Sequence, residues 1–273
     1  MRLAVSNIGW TAGQDATAAA RLLAAGAEAI EVAPGRIFAD LARATPAQAR
    51  RIAAGLAATG LPAVSMQALL FGQEDLRLFG DRADEARLQA HLDRLFGLAA
   101  ALGCGPLVFG APKNRLKGAM GFAEAVRRAV PVLSRIGDLA ARHGVTFCLE
   151  ANARAYGCDF MTRLAEAAEV AAAVDHPAVA VVGDTGNMLM EDEPAEAIAT
   201  VLDRLAHVHV SAPALASPLA HRDFVAAVIG HLGAAGYRGI VTLEMRPQAG
   251  ADPLADLEGA LVMLRGIIDG ARG

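Results

Sequence analysis

VAVVGDTGNML, residues 179–189, decides how this chain is read. Apolar residues run from Val179 to Val182, the run ends on Asp184, and a Thr-Gly-Asn turn follows. A charge at the end of a buried strand is costly unless something pairs with it. The rest of the chain must therefore supply either a partner or a solvated exit.

The pattern of short β-branched run, stop and helical segment repeats along the sequence. Strands are expected at 2–8, 29–33, 62–67, 106–110, 145–150, 179–184, 206–211 and 240–245. Helical periodicity fills 15–26, 46–59, 82–102, 122–143, 162–174, 194–204, 222–235 and 253–269. Asp15, Thr45-Pro46 and Thr162 sit where helices start, and Gly26, Gly60, Gly103, Gly144 and Gly236 sit where they stop. Strict β–α alternation implies a parallel sheet with helices outside it. Eight such units in 273 residues predict a single (β/α)8 TIM-barrel domain spanning 1–273. A doubly wound open sheet is disfavoured because no G-x-G-x-x-G follows the first strand.

Composition narrows the function. Hydrophobic residues make up 54% of the chain, enough for a full core, and the net charge is −4. That balance provides no basic footprint for nucleic acid. "MRLAVSNIGW" does not read as a secretory signal, and no apolar run reaches membrane-spanning length. Three cysteines without a C-x-x-C pair read as reduced thiols, so a cytoplasmic protein is expected. A homo-oligomer is left open. Of 25 basic residues only Lys113 and Lys117 are lysines, and both lie in "GAPKNRLKG".

The predicted strand ends bring chemistry together. Strand 5 ends at Glu150, strand 6 at Asp184, strand 7 carries His209 and strand 8 carries Glu244. In a closed barrel these four ends share one rim. Alternation turns Val145, Phe147 and Leu149 outward with Val241, Leu243 and Met245, and Glu150 and Glu244 inward. Three carboxylates so placed would repel without a cation, so a divalent metal is predicted on Glu150, Asp184, His209 and Glu244. The hard donor set favours Mn2+ or Mg2+, with Co2+ or Zn2+ able to substitute. His207, two residues deeper, is expected to be a satisfied core histidine.

These residues carry a resemblance. "CLEANARAYGCDFMT", "GDTGNM", "HVHVSAP" and "VTLEM" resemble the sugar phosphate isomerase/epimerase family of xylose isomerase-like barrels, and "AIEVAPG" and "VSMQALLFG" extend the likeness to the first half. The resemblance implies a metal-dependent isomerase or epimerase of a sugar, sugar phosphate or related polyhydroxy carbonyl compound. Its two glutamates, here Glu150 and Glu244, would bind metal and move a proton through a metal-stabilised enediolate. A dehydratase of a keto-polyol, of the inosose or dehydroshikimate kind, is the alternative reading. Two positions depart from the ketose epimerases. Asn187 stands where they have His, and Leu215 where they have Arg, which argues against their usual ketohexoses.

Further substrate contacts are expected from Asn7, Glu31, Gln67, Asn152, Asn187 and Arg246, each at or just beyond a strand end, and from His221 in the loop after strand 7, which could equally be a plain surface histidine. Glu31 could equally form an ion pair inside the barrel. Lys113 would serve an anionic substrate. Trp10 and Phe71 are candidate apolar walls, and the long segment 68–81 reads as a lid, as a strap on the neighbouring loop or as an oligomer contact. An endonuclease IV-type phosphodiesterase would need more histidine ligands than this chain offers, and a non-catalytic barrel subunit would be expected to have lost a ligand.

Overall fold

The computed structural model describes residues 1–248, 250 and 252–271. Among them, β1 (Arg2–Ser6), β2 (Ala29–Val32), β3 (Ala63–Met66), β4 (Pro106–Phe109), β5 (Thr146–Glu150), β6 (Val179–Asp184), β7 (Leu205–Val210) and β8 (Ile240–Leu243) form a closed parallel barrel in sequence order. β1 pairs with β8 to close it, Arg2 opposite Ile240. The predicted (β/α)8 architecture is therefore the observed one.

Helices α1 (Asp15–Ala24), α2 (Pro34–Ile37), α3 (Pro46–Ala58), α4 (Arg82–Leu102), α5 (Phe122–His143), α6 (Leu164–Val174), α7 (Thr185–Met190), α8 (Arg222–Ala234) and α9 (Pro253–Gly270) lie in the connections. Their boundaries follow local chemistry. Thr45 caps α3 in a capping box with Gln48, and Asp81 caps α4 through the backbone N–H groups of Ala83 and Asp84. Gly103 and Gly144 end α4 and α5 in the left-handed conformation that glycine adopts without a Cβ penalty. No helix among the described residues is long and apolar enough to cross a membrane.

The core lies between sheet and helices. Phe147 on β5 packs between Phe96 of α4 and Phe109 of β4, with ring centroids 5.9 and 5.1 Å away. Phe147, Leu149, Val241, Leu243 and Met245 belong to this outer core, as alternation required, while Val108, Cys148 and Val182 fill the barrel interior. Phe147→Ala at such a site costs about 3–5 kcal/mol.

One unit departs from expectation. The helix expected over 194–204 is a 3-10 helix, Ala195–Val201. Its buried residues are Ala195, Ile198 and Val201, spaced by three, and a three-residue turn places such positions on one face. The only α-helical piece between β6 and β7 is α7, which starts directly on Asp184.

The long segment after β3 is a strap. Asn114, in the loop after β4, donates its side-chain amide to the carbonyls of Gln73 and Leu76, both at 2.7 Å, and its own carbonyl accepts from Leu78 N at 2.8 Å. Leu76 and Leu78 are buried, whereas Phe71 stands 80% exposed.

A candidate metal centre at the barrel rim

Register sets the site. Asp184 is the Cα partner of His209 across β6–β7, and Glu150 pairs with Val182 across β5–β6. Glu244 lies one residue past β8, where its N–H still bonds the Val210 carbonyl at 2.9 Å. The four side chains consequently meet at one imidazole edge. His209 Nδ1 is 3.0 Å from Glu150 Oε1, 3.2 Å from Glu244 Oε2 and 3.7 Å from Asp184 Oδ2. Ligand atoms of Glu150, Asp184 and His209 all fall within 4.8 Å of one another, and all four side chains are buried.

The electrostatics of this cluster are those of crowded, buried carboxylates. Burial, with the charges of Glu150 and Glu244 adding to it, pushes the Asp184 carboxyl up to about 7. His209 is raised well above its ordinary value: burial opposes its charge, but Glu31, Glu244 and Glu150 outweigh it. Glu150, Asp184 and His209 could hold a divalent metal ion, with Glu244 beside them.

The opposite side of the imidazole is held from below. His209 Nε2 lies 3.0 Å from Glu31 Oε1, and His207 Nε2 lies 2.8 Å from Glu31 Oε2, which also accepts from Ser65 Oγ at 2.9 Å. A carboxylate on Nε2 keeps a proton there and leaves Nδ1 facing the rim carboxylates. Burial alone would raise the Glu31 carboxyl, yet the charge of His209 and the bonds from both histidines hold it far below the usual range. Of the two roles open to Glu31, the structure provides the ion pair. His207 is a core histidine fully buried on Glu31, but it is only half satisfied: among the described residues its Nδ1 has no hydrogen-bond partner.

Asp184 also has a structural role. Its Oδ1 accepts from Asn187 N at 2.6 Å and so caps α7. Ser211 Oγ bonds both carboxylate oxygens, at 3.1 and 3.0 Å, and in turn accepts from Gly186 N at 3.0 Å. A Cβ at Gly186 would sit 2.3 Å from Ser211 Oγ, which explains the glycine in "DTGNM".

The remaining candidates divide. Asn152 donates from Nδ2 to Glu150 Oε2 at 3.0 Å, in direct contact with the cluster. Asn187 Oδ1 accepts from Ala153 N at 2.9 Å and ties the β5 loop to α7. Asn7 Oδ1 accepts from Ala33 N at 2.8 Å, and Gln67 Nε2 donates to Ser6 Oγ at 2.7 Å. Arg246 is exposed beyond Glu244, and His221 ends a 3-10 turn in front of α8. Lys113 is exposed with Glu74 as its charge partner at 3.8 Å, and no ion pair among the described residues links it to the cluster. Trp10 is buried, its indole N–H donating to Asp15 at 2.7 Å.

Three participants escaped the sequence reading. Ser211 shares the inward face of β7 with His207 and His209, so alternation could have found it. Tyr156 accepts from Ala214 N at 2.9 Å and joins the β5 and β7 loops above the carboxylates. Burial raises its phenol, as do the charges of Asp184, Glu244 and Glu150. Arg115, completely buried, was one arginine among many.

A closed parallel barrel with a carboxylate–imidazole cluster on its C-terminal rim defines a class of rim-site barrel proteins. A family model described as "Xylose isomerase-like TIM barrel" matches residues 19–265, so the chain belongs to that family. A search of curated protein sequences finds no match. Solved structures of the same fold include D-psicose 3-epimerase with D-tagatose from Clostridium cellulolyticum H10, at 18% identity and TM-score 0.80 over 98% of this chain and 99% of that one. The 3-keto-D-glucoside 4-epimerase of E. coli aligns at 22% identity and TM-score 0.75 over 97% and 99%. D-allulose 3-epimerase from Methylomonas sp. aligns at 20% and 0.70 over 99% and 98%.

Proposed function

We propose that this protein is a divalent-metal-dependent isomerase or epimerase of a sugar, sugar phosphate or related polyhydroxy carbonyl compound. The observation that carries the reading is the convergence of Glu150, Asp184 and Glu244 on His209 Nδ1. Neighbouring structures of sugar epimerases across essentially the whole chain support it.

Glu150, Asp184, His209 and Glu244 would hold the ion, with Mn2+ or Mg2+ favoured. When bound, it supplies a Lewis acid to the substrate's carbonyl and adjacent hydroxyl oxygens. The chain's own residues do the rest. Asp184, pinned by Ser211 and the α7 backbone, contributes charge and cannot swing. Glu150 and Glu244 come from β5 and from the end of β8, and so reach a bound substrate from different sides. One takes the proton from the carbon next to the carbonyl. The other returns it, on the opposite face for epimerisation or at the neighbouring carbon for isomerisation. Glu31 holds the His209 ring still throughout.

The test is NMR of candidate ketoses, ketose phosphates and inososes incubated in D2O with Mn2+-loaded protein. Exchange of a proton next to a carbonyl, with inversion or carbonyl migration, is expected. Loss of a β-hydroxyl instead would establish the dehydratase reading, and absence of exchange across the set would remove the catalytic assignment.

A further inference from the structure

Arg115 is fully buried, yet among the described residues its hydrogen bonds go to neutral oxygens and none to a carboxylate. Its Nη1 donates to the Phe109 carbonyl at 3.1 Å, and Nη2 donates to Asn152 Oδ1 at 2.9 Å and to the Met161 carbonyl at 3.4 Å. The guanidinium lies 5.6 Å from the centre of the Phe109 ring, and Nε has no hydrogen-bond partner. A buried cation surrounded by neutral oxygens is costly unless negative charge lies close behind them. One such charge is Glu150, one amide away, because Asn152 Nδ2 donates to Glu150 Oε2 at 3.0 Å.

The direction of this chain is forced. Arg has only donors, so Asn152 must turn its carbonyl oxygen toward it. The amide NH2 then has to face Glu150, which as a carboxylate has only acceptors. With Arg115 gone, Glu150 alone would favour this orientation of the amide, and a flipped Asn152 would aim its oxygen at the carboxylate. Gly110 shapes the same position from the other side. A Cβ there would lie 1.9 Å from Glu150 Oε2 and 3.0 Å from Cδ. Glu150 Oε2 is thus fixed between Asn152 and the bare backbone of Gly110, and Oε1 is turned to His209 Nδ1. Glu244 has no such support, since no hydrogen bond to it is made by any side chain among the described residues apart from its approach to His209.

We propose that Arg115 is a positioning residue that, through Asn152 and against Gly110, fixes which oxygen Glu150 presents to the metal centre. The proposal rests on the metal-centre reading above. It assigns Asn152 to holding Glu150, and it gives the "PKNR" turn after β4 a task beyond strapping the β3 segment. Mutating partners that orient a metal ligand typically costs about 10–100-fold in metal affinity, and groups acting in series give non-additive losses.

The experiment is an Mn2+ equilibrium titration, read by EPR of the free ion, on wild type, Arg115→Met, Arg115→Lys, Asn152→Ala, Arg115→Met/Asn152→Ala and Gly110→Ala, with the thermal midpoint of each metal-free protein. Arg115→Met is expected to weaken Mn2+ binding about 10–100-fold, and Arg115→Lys to recover part of it by donating to Asn152 Oδ1. In the Asn152→Ala background, Arg115→Met should cost nothing further. Gly110→Ala, at a backbone conformation open to alanine, should weaken binding similarly, and it serves alone if Arg115→Met does not fold. Unchanged Mn2+ affinity in folded Arg115→Met or in Gly110→Ala, or fully additive losses in the double variant, overturns the proposal while leaving the metal centre standing. A wild type that binds no Mn2+ overturns both.

Discussion

The two halves of the barrel rim use the same kinds of residue in opposite ways. On the β1–β4 side, polar side chains are engaged: Asn7 bonds the Ala33 backbone, Gln67 bonds Ser6, and Ser65 bonds Glu31. On the β5–β8 side, three carboxylates crowd one imidazole nitrogen, and the protein leaves their repulsion in place. A polar group satisfied by its neighbours stabilises the fold. A cluster of carboxylates around one imidazole is held in part against its own charge. The candidate site therefore belongs to the second half, and the first half is its scaffold. Glu31 crosses the divide, since it belongs to β2 but presses on the underside of His209.

The largest effect should come from removing proton transfer without removing the fold. Glu150→Gln and Glu244→Gln keep an oxygen donor and lose a base, so turnover should fall about 10²–10⁴-fold in metal-loaded protein. Steady-state kinetics on a substrate identified by deuterium exchange measures it, and near-normal turnover by either variant would reduce that glutamate to a ligand. Glu31→Gln sharpens the comparison, because it changes the scaffold half and reads out in the half that holds the candidate site. Mn2+ affinity should drop about 10–100-fold by equilibrium titration, as loss of a group orienting a ligand does.

The pH dependence is next in size and has a definite sign. Asp184 has a folded-state value near 7 against an ordinary 3.8. Its favourable contribution to the metal-free protein is complete below the ordinary value and is lost as pH rises through about 7. His209, also raised, acts in the same direction: its contribution is complete below 6.5 and is lost as pH rises through a folded value well above it. Glu31, lowered, loses its contribution only as pH falls below its ordinary 4.5. As pH rises from 5 to 8, Asp184 and His209 should lower the metal-free thermal midpoint, and the stabilisation by saturating Mn2+ should grow over the same interval. Calorimetric scans with and without Mn2+ test this, and a Mn2+ increment independent of pH contradicts it. The smallest effect belongs to the scaffold half. Asn7→Ala leaves the Ala33 N–H without its partner and should cost about 1–3 kcal/mol of stability with Mn2+ affinity unchanged.

Much of this was legible in the sequence because strands impose a two-residue period. Glu150, Asp184, His209 and Glu244 could be aligned on one rim without coordinates, since each stands at or near the end of a β-branched run. Ser211 lay within reach of the same logic. Arg115 did not, because loops carry no period and a buried loop arginine looks like a surface one. Glu31 was ambiguous for another reason: whether an inward carboxylate meets substrate or histidine depends on stagger between β2 and β7, which lie across the barrel. The 3-10 turn at Ala195–Val201 was misread as an α-helix because a spacing of three over seven residues is compatible with either period.

The claim on which everything else depends is that the β5–β8 half is built around a metal ion. The most direct measurement is an Mn2+ titration, with metal-free thermal stability, of wild type and Asp184→Asn at pH 7.5. Asparagine can still cap α7 and removes one of the three crowded charges. One Mn2+ per chain is predicted for wild type. For Asp184→Asn, binding should be weakened beyond the roughly 10–100-fold loss of an outer partner, while the metal-free protein becomes more stable. Undiminished Mn2+ binding by Asp184→Asn, or no binding by wild type, would contradict the account.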